Sequence, residues 1–413
     1  MSASSLPGPG ALDHLRVLDL SRVLAGPWAS QILGDLGAEV VKVESPGQGD
    51  DTRTWGPPFL TDAEGSIGDA AYFSACNRNK RSVTIDFAKP EGADLVRRMA
   101  AGADIVLENF KTGGLAKYGL DYEGLKAVNP KLIYCSVTGF GQTGPYAHRA
   151  GYDFLVQGMG GLMSVTGHPD GMPGGGPMKV GVAVCDLFTG MYAAVAILAA
   201  VTHRERTGEG QHIDCALLDS QVAMLSNQSA NWLVGGVVPN RLGNNHPNVV
   251  PYRVYPTQDG HVIVACGNDA QFRRLCEALG CGELASDARF QSNPARVANR
   301  ADLDTLLGER TVRQKRDDVV TMLEAVNVPC GPINAVPDVF ADPHVRARGL
   351  EIELTRDDGT TVPGVAFPPR LSATPASYRT APPRLGADTE MVLSDWLDLS
   401  PAAVNALRAN GVI

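Results

Sequence analysis

The feature that most constrains this chain is an alternation of short apolar runs and helical stretches over its first 140 residues. LRVLDLS (15–21) reads as a buried strand. A loop, Arg22-Val23-Leu24-Ala25-Gly26, leads to Pro27, which suits a first helical turn because an N–H there has no partner anyway. The predicted helix runs through WASQILGDL and stops at Gly37, a residue that readily takes the left-handed conformation after a helix end. AEVVKVE (38–44) is then a second strand, completing a βαβ unit. The pattern recurs with SVTIDF (82–87), a helix begun by Pro90, ADIVLENF (103–110), a helical stretch over 122–128 and KLIYCSVTGF (131–140). Strands joined this way form a mostly parallel sheet covered by helices, so the fold class expected is α/β. Ligands in such sheets bind beyond the carboxyl ends of the strands. That singles out Ser21-Arg22, Glu44, Asn109 and Thr138-Gly139.

A stretch rich in Gly and Met (146–179) is followed by LFTGMYAAVAILAAVTHRERTG, a long helix of small residues ended by Gly208 and Gly210, and by a possible strand, QHIDCAL. After about residue 225 the character changes. PYRVYPTQDGHVIVAC reads as an antiparallel hairpin turning at Asp259-Gly260, and QFRRLCEALG, ADLDTLLGERTV and DDVVTMLEAVN read as amphipathic helices. LEIELTRDDGTTVPGV is a second hairpin, turning at Asp358-Gly359, and LSPAAVNALRANGVI is a closing helix. The expected organisation is a large domain over 1–225, completed by 340–413, with a smaller α+β domain over 226–339.

Composition excludes several classes. With 44% hydrophobic and 20% charged residues, the chain buries enough apolar surface to offset its lost conformational entropy. A net charge of −9, from 36 basic and 45 acidic residues, argues against a nucleic-acid partner. MSASSLPGPGALDHLRV lacks the charged and apolar regions of a secretory signal. The most apolar run, residues 191–201, is too short to span a bilayer, so no membrane partner is expected. Eight cysteines include no C-x-x-C pair, and several sit in apolar runs such as KLIYCSV and HVIVACG. They read as buried free thiols of a cytoplasmic protein rather than as a metal site or a disulfide frame. Glycine, 46 of 413 residues, is in excess at about 11% against a typical ~7%, which implies many turns and close backbone approaches.

Asp186 is the most informative single residue. It stands where the long apolar helix begins, with no Lys or Arg within several residues on either side. One reading is an N-cap accepting hydrogen bonds from the first helical N–H groups. The other is a carboxylate nucleophile kept ionised by the helix N-terminus. The two are compatible, because a capping position lowers the acid's pKa.

Around it the sequence becomes recognisable. VLDLSRVLAGPWASQILGDLGAEVVKVE, YFSACNRNKRSVTIDF, DIVLENFKTGGLAKYGL, YDFLVQGMGGLMSVTG, CDLFTGMYAAVAILAAVTHRERTGEGQHID and RLGNNHPNVVPYRVYPTQDGHVIVACGN occur in order. Over almost its whole length the chain resembles the family III CoA-transferases, the CaiB–BaiF family. The resemblance implies a Rossmann-like large domain, a smaller α+β domain and an interlocked homodimer. It implies Asp186 as the nucleophile, passing through a mixed anhydride and an aspartyl-CoA thioester. Coenzyme A and acyl-CoA are then substrates, with a carboxylic acid as acceptor and no permanently bound cofactor or metal.

By position the resemblance implicates Val23, Leu24 and Ala25, Asn109 and Phe110, and Lys117 in CoA binding; a solvated helix lysine is the other reading of Lys117. Where the family often has Arg after the glutamate that ends the second strand, this chain has Ser45, so that phosphate contact is missing or replaced. Lys80-Arg81 is either a nearby source of charge or a surface pair. Between Cys76 and Lys117 eight Lys or Arg stand against five Asp or Glu, a local field that could meet an anionic cofactor.

Tyr152 lies where transferases of this fold place a tyrosine near CoA. The α-methylacyl-CoA racemases of the same fold read G-H-D there, whereas this chain reads Gly151-Tyr152-Asp153. Phenol is a weak general base at neutral pH, so transfer is favoured over racemisation. A non-catalytic CoA-binding protein is opposed by the intact Asp186. A Rossmann dehydrogenase is opposed by the lack of G-x-G-x-x-G after the first strand. GNNHP reads as a lid in which Gly243 and Asn244 approach the acyl group; His246 is either part of that site or a turn histidine. The pattern GNxHPxxxPY resembles the subgroup acting on succinyl-CoA or related dicarboxylyl-CoA thioesters. A second carboxylate calls for an arginine, with Arg22, Arg241 and Arg253 as candidates.

Overall fold

The computed structural model describes residues 10–62 and 64–413. Six parallel strands form the main sheet: β1 (Arg16–Asp19), β2 (Glu39–Glu44), β3 (Lys80–Thr84), β4 (Ile105–Glu108), β5 (Ile133–Thr138) and β6 (His212–Ala216). Their order is β3-β2-β1-β4-β5-β6, so the chain reverses direction of travel across the sheet between β1 and β4. Crossover helices are α1 (Ala25–Asp35), α2 (Pro90–Ala101) and the short α3 (Tyr122–Lys126); α4 (Asp153–Met159) and α5 (Val184–Thr207) follow β5, and α6 (Leu217–Met224) follows β6.

Period-two alternation along the strands feeds two cores. Val17, Val40, Ile105 and Leu107 face one side, where they pack with Leu33 of α1 and with Ala193 and Ile197 of α5. Leu18, Val41 and Val106 face the other, where they meet Leu95 and Met99 of α2. The carboxyl-terminal helices α10 (Thr389–Leu397) and α11 (Pro401–Ala409) supply Val392, Leu393 and Val404 to that second core. Contacts divide the chain into two compact units. The first takes in the chain up to Leu162, Val180–Leu233 and Val345–Ile413; the second is Met163–Lys179 with Val234–His344. The second holds the sheet β7 (Tyr252–Thr257), β8 (Gly260–Ala265) and β9 (Cys330–Pro332), around which α7 (Asp269–Ala278), α8 (Arg300–Thr311) and α9 (Arg316–Ala325) pack. The hairpin of β10 (Glu351–Thr355) and β11 (Thr361–Val365) turns with Gly359 at φ +82°.

Several expectations shift. Residues 163–179, read as part of the first domain, cluster with the second, and 226–233 with the first, because contacts rather than chain order group them. α1 begins at Ala25, two residues before Pro27. β3 begins at Lys80 rather than Ser82, because Lys80 is a fully buried strand residue paired with Asp19 at 3.1 Å. α5 begins at Val184 and runs 24 residues, long and apolar enough to cross a membrane by length and composition. Its inner face, including Ala193, Ala194 and Ile197, belongs to the core between α1 and the sheet.

Candidate active site

The strand-order reversal between β1 and β4 leaves a crevice at the carboxyl ends of those strands, where an α/β sheet of this topology takes its ligand. The loop after β1 is shaped from below by buried charge. Asp19 accepts the backbone N–H of Ser21 at 2.9 Å and the hydroxyls of Ser21 and Ser30. Lys80 ties Asp19 to the Pro27 carbonyl (3.0 Å) and to Asn77 (2.9 Å). Lys42 reaches the Ser21 carbonyl at 2.7 Å and Asp50 at 2.9 Å. Burial works against the Asp50 carboxylate, but Lys42 and hydrogen bonds from Thr52 outweigh it and hold its pKa at about 2. Both Asp50 oxygens accept the Val23 N–H at 3.2 Å. Val23 has φ +70°, a left-handed conformation that costs a β-branched residue of order 1–3 kcal/mol and persists only where the surroundings dictate it. Across the reversal, Asn109 exchanges two hydrogen bonds with the Arg22 backbone (2.8 and 2.6 Å).

Two glycine contacts bring the remaining parts together. A Cβ on Gly190 of α5 would lie 2.6 Å from the Ala25 carbonyl oxygen and 3.2 Å from Trp28, so α5 crosses α1 there at backbone distance. Asp186 sits one turn earlier on α5, beside the start of α1. Gly139 and Gly151 touch in the same manner: a Cβ on Gly139 would be 2.5 Å from the Gly151 Cα. That contact sets Tyr152 beside the end of β5. The result is a cavity of about 220 Å³ lined by Val23, Leu24, Ala25, Asn109, Phe110, Tyr152 and Asp186.

Asp186 is the third residue of α5, and the N-cap is Ala183, so the capping reading is corrected. The Cys185 N–H is instead taken by Asp153 at 2.8 Å. The expected lowering of the Asp186 pKa is also corrected. Burial first, and the Asp153 charge second, push it up to about 7. Among the described residues no group donates a hydrogen bond to this carboxylate. Tyr72, edge-on to Trp55 at 5.4 Å, is close enough that the Asp186 charge adds to burial in pushing its phenol up to about 12.

Other candidates fall elsewhere. Lys117 is exposed on a single turn outside this cavity, its Nζ over the Tyr118 ring at 4.6 Å. Lys80 is fully buried, and Arg81 is engaged by Glu39 (3.0 Å) and Asp395 (2.9 Å). Within the positive stretch read around them, Arg78, Lys80, Arg81 and Arg97 are paired with carboxylates of the fold. Of the three arginines, only Arg22 lines the Asp186 cavity, its guanidinium 3.2 Å from Asp51. Arg253 pairs with Asp304 at 2.6 Å, and Arg241 with Asp170. In the second unit Gly243 (φ +59°) binds the Gly167 carbonyl through its N–H at 3.0 Å, and Asn244 is exposed. His246 Nδ1 accepts the N–H groups of Asn248 (3.0 Å) and Val249 (3.1 Å), the bonding of a turn histidine.

The sequence reading missed Lys111 and Arg149, both lining the cavity. The Arg149 guanidinium lies over Phe140 (5.2 Å) and Tyr146 (4.7 Å), with no carboxylate partner among the described residues. It also missed the roles of Asp153 and Tyr72. Their only sequence signals were adjacency: Lys111 follows Asn109-Phe110, Arg149 and Asp153 flank Gly151-Tyr152, and Tyr72 opens the YFSACNRNKRS motif.

Comparison with known proteins shows the family. The CoA-transferase family III model matches residues 12–389. A succinate–glutarate CoA-transferase of Agrobacterium fabrum is 56% identical over 384 residues, 93% of this chain and 95% of that protein. The succinyl-CoA:glutarate CoA-transferase of Mus musculus is 42% identical, covering 97% of this chain and 90% of that one. A crystal structure of a CAIB/BAIF family protein from Brucella suis, 55% identical, superposes with a TM-score of 0.83 over 94% of this chain and all of that one. The matched region runs from the loop before β1 into α10 and so contains the whole Asp186 cavity: this chain belongs to CoA-transferase family III and is a CoA-transferase.

Proposed function

We propose that this enzyme moves CoA from succinyl-CoA, or another dicarboxylyl-CoA thioester, to a dicarboxylic acid of the glutarate class, through an aspartyl-CoA thioester on Asp186. The carrying observation is a poorly solvated carboxylate, with no hydrogen-bond donor among the described residues, in the cavity at the strand-order reversal. The dicarboxylate class is supported by relatives at 42–56% identity that are named for succinyl and glutarate substrates.

A carboxylate oxygen of Asp186 attacks the donor's thioester carbon. The C–S bond breaks and CoA thiolate leaves, giving a mixed anhydride. The thiolate attacks the Asp186 carbonyl carbon, releasing the donor acid as its carboxylate and leaving aspartyl-CoA. The acceptor's carboxylate attacks that thioester, expelling thiolate and forming a second anhydride. Thiolate attack on the acceptor's acyl carbon yields the new acyl-CoA and restores Asp186. Each step exchanges one activated acyl bond for another, so ATP is not consumed. A carboxylate with a pKa of about 7 is more nucleophilic than an ordinary one and still substantially ionised at neutral pH.

In this reading Val23, Leu24, Ala25, Asn109, Phe110 and Tyr152 line the thioester arm's path. The nucleotide end lies in a second cavity of about 240 Å³ that shares Arg22 and Phe110 with the first. Lys111 meets phosphate, with Lys117 exposed further along the same loop, and Arg149 receives the distal carboxylate of the acid. The active form is a homodimer in the cytoplasm. Phe188, Met191, Tyr192 and Val195 on α5 are 46–60% exposed, an apolar face that a second copy would cover, and all eight cysteines are free.

The test is turnover with succinyl-CoA followed by intact-protein and peptide mass spectrometry. The expected result is a CoA adduct on Asp186, no adduct in Asp186→Ala, and new thioesters from glutarate-like acids in preference to monocarboxylic ones. Full transfer by Asp186→Ala would overturn the mechanism. Rapid α-proton exchange of a 2-methylacyl-CoA in deuterated water, without an acceptor acid, would point to racemisation instead.

A further inference from the structure

We propose that Gln157 and Gln221, one on each helix flanking the start of α5, are positioning residues that bracket the nucleophile by gripping the residues just before it. The proposal rests on the reading of Asp186 as the nucleophile. The start of α5 needs an external hold, because Ala183 at its N-cap offers no side-chain acceptor. Asp153 of α4 supplies one, accepting the Cys185 N–H with Oδ1 at 2.8 Å. Its other oxygen is fixed by Gln157 Nε2 at 2.7 Å. The same amide reaches back along the incoming chain, accepting the Val180 N–H at 2.8 Å and donating to the Val182 carbonyl at 3.5 Å. Gln157 is fully buried, so one side chain ties the segment 180–185 to α4 from within.

Gln221 of α6 holds the other side. Its Oε1 accepts the Cys185 thiol at 3.0 Å, and it too is fully buried. Its Nε2 finds no acceptor among the described residues, a costly state for a buried amide if stability alone had selected it. The backbone is also built around this side chain: a Cβ on Gly160, at the end of α4, would lie 2.2 Å from Gln221 Cγ.

Chemistry explains why the grip falls on Cys185 and not on Asp186. A donor placed on the Asp186 carboxylate would fix it but stabilise its charge and blunt its attack. During turnover the side chain passes from carboxylate to anhydride to thioester, so a hold that depended on its charge would be lost on acylation. Anchoring the preceding residue through its N–H and its thiol keeps the turn in place through every covalent state.

The test uses Gln157→Leu and Gln221→Leu in the full chain. It compares Tm, kcat, the KM for succinyl-CoA and the single-turnover rate of aspartyl-CoA formation with those of the unaltered enzyme. Gln221→Leu should hold or raise Tm, because it removes the unpaired amide. It should lower kcat and the single-turnover rate about tenfold, with KM for the thioester within about twofold. Gln157→Leu should lower kcat by about a hundredfold, again with KM little changed. Should Gln157→Leu fail to fold, Gln221→Leu alone decides. An unchanged kcat in a stable Gln221→Leu, or a kcat that falls only in step with Tm, would overturn the bracket. Asp186→Ala run in parallel separates the two readings: if it keeps full transfer, the nucleophile assignment fails and the bracket with it; if it is inactive while Gln221→Leu is unimpaired, only the bracket fails.

Discussion

At the scale of single residues, Asp186 shows how environment sets the ionisation of a carboxylate. A helix N-terminus favours a negative charge by a few tenths to about 1 kcal/mol when exposed, and burial beside a second carboxylate outweighs that here. Activity should therefore rise with pH along a limb centred near pH 7 in the kcat/KM profile of the free enzyme. Asp153→Asn removes the like charge and should move that limb to lower pH; a limb that stays in place would show that Asp153 does not act on Asp186. Stability should run the opposite way. An acid whose folded pKa lies above its unfolded value costs nothing while protonated in both states, below about pH 4. The cost grows as pH rises toward 7 and is complete above it. Asp186→Asn should thus be inactive yet more stable at pH 8, by about 2 kcal/mol once the carboxylate's remaining exposure is allowed for. Urea unfolding at pH 8 and pH 4 checks this, and the difference should shrink to a small fraction at the lower pH.

Among the elements, the crossing of α1 and α5 sets the distance between Asp186 and the loop after β1. Helix propensity by itself says that Gly190→Ala gains about 1 kcal/mol. The Cβ contact at 2.6 Å from the Ala25 carbonyl argues the reverse, because overpacking against backbone costs about 1–3 kcal/mol. The net expectation is a loss of about 1 kcal/mol together with a raised KM for the thioester, since α1 carries Ala25 of the cavity wall. A stabilised Gly190→Ala variant with normal KM would show that the helices part without consequence.

For the whole molecule, the exposed apolar stripe on α5 is too continuous for an ordinary solvent face. If this stripe forms the proposed homodimer interface, Phe188→Glu combined with Val195→Glu should shift sedimentation from dimer to monomer and lower activity. A dimer that survives both changes would place the interface elsewhere.

Periodicity, glycine stops and ordered motifs lie within windows of about ten residues, so the parallel sheet, most of its helices, the two hairpins and the place of Asp186 at the start of the long helix were legible in the sequence alone. The strand pattern also put Asn109 at a sheet edge, whereas Val23–Ala25, Phe110 and Tyr152 entered only through the resemblance to the family. What they could not carry was the state of each charge. Lys80 was open to a surface reading until Asp19, 61 residues away, was seen to hold it in the core. Arg78 is likewise spent on Asp35, 43 residues away. The ionisation of Asp186 turned on burial and on Asp153, neither visible from its neighbours in sequence. Local conformation is written in short stretches of chain, whereas desolvation and charge pairing exist only once distant residues share a volume. The tertiary structure therefore decided which cations are paired within the fold and which carboxylate is left poorly solvated.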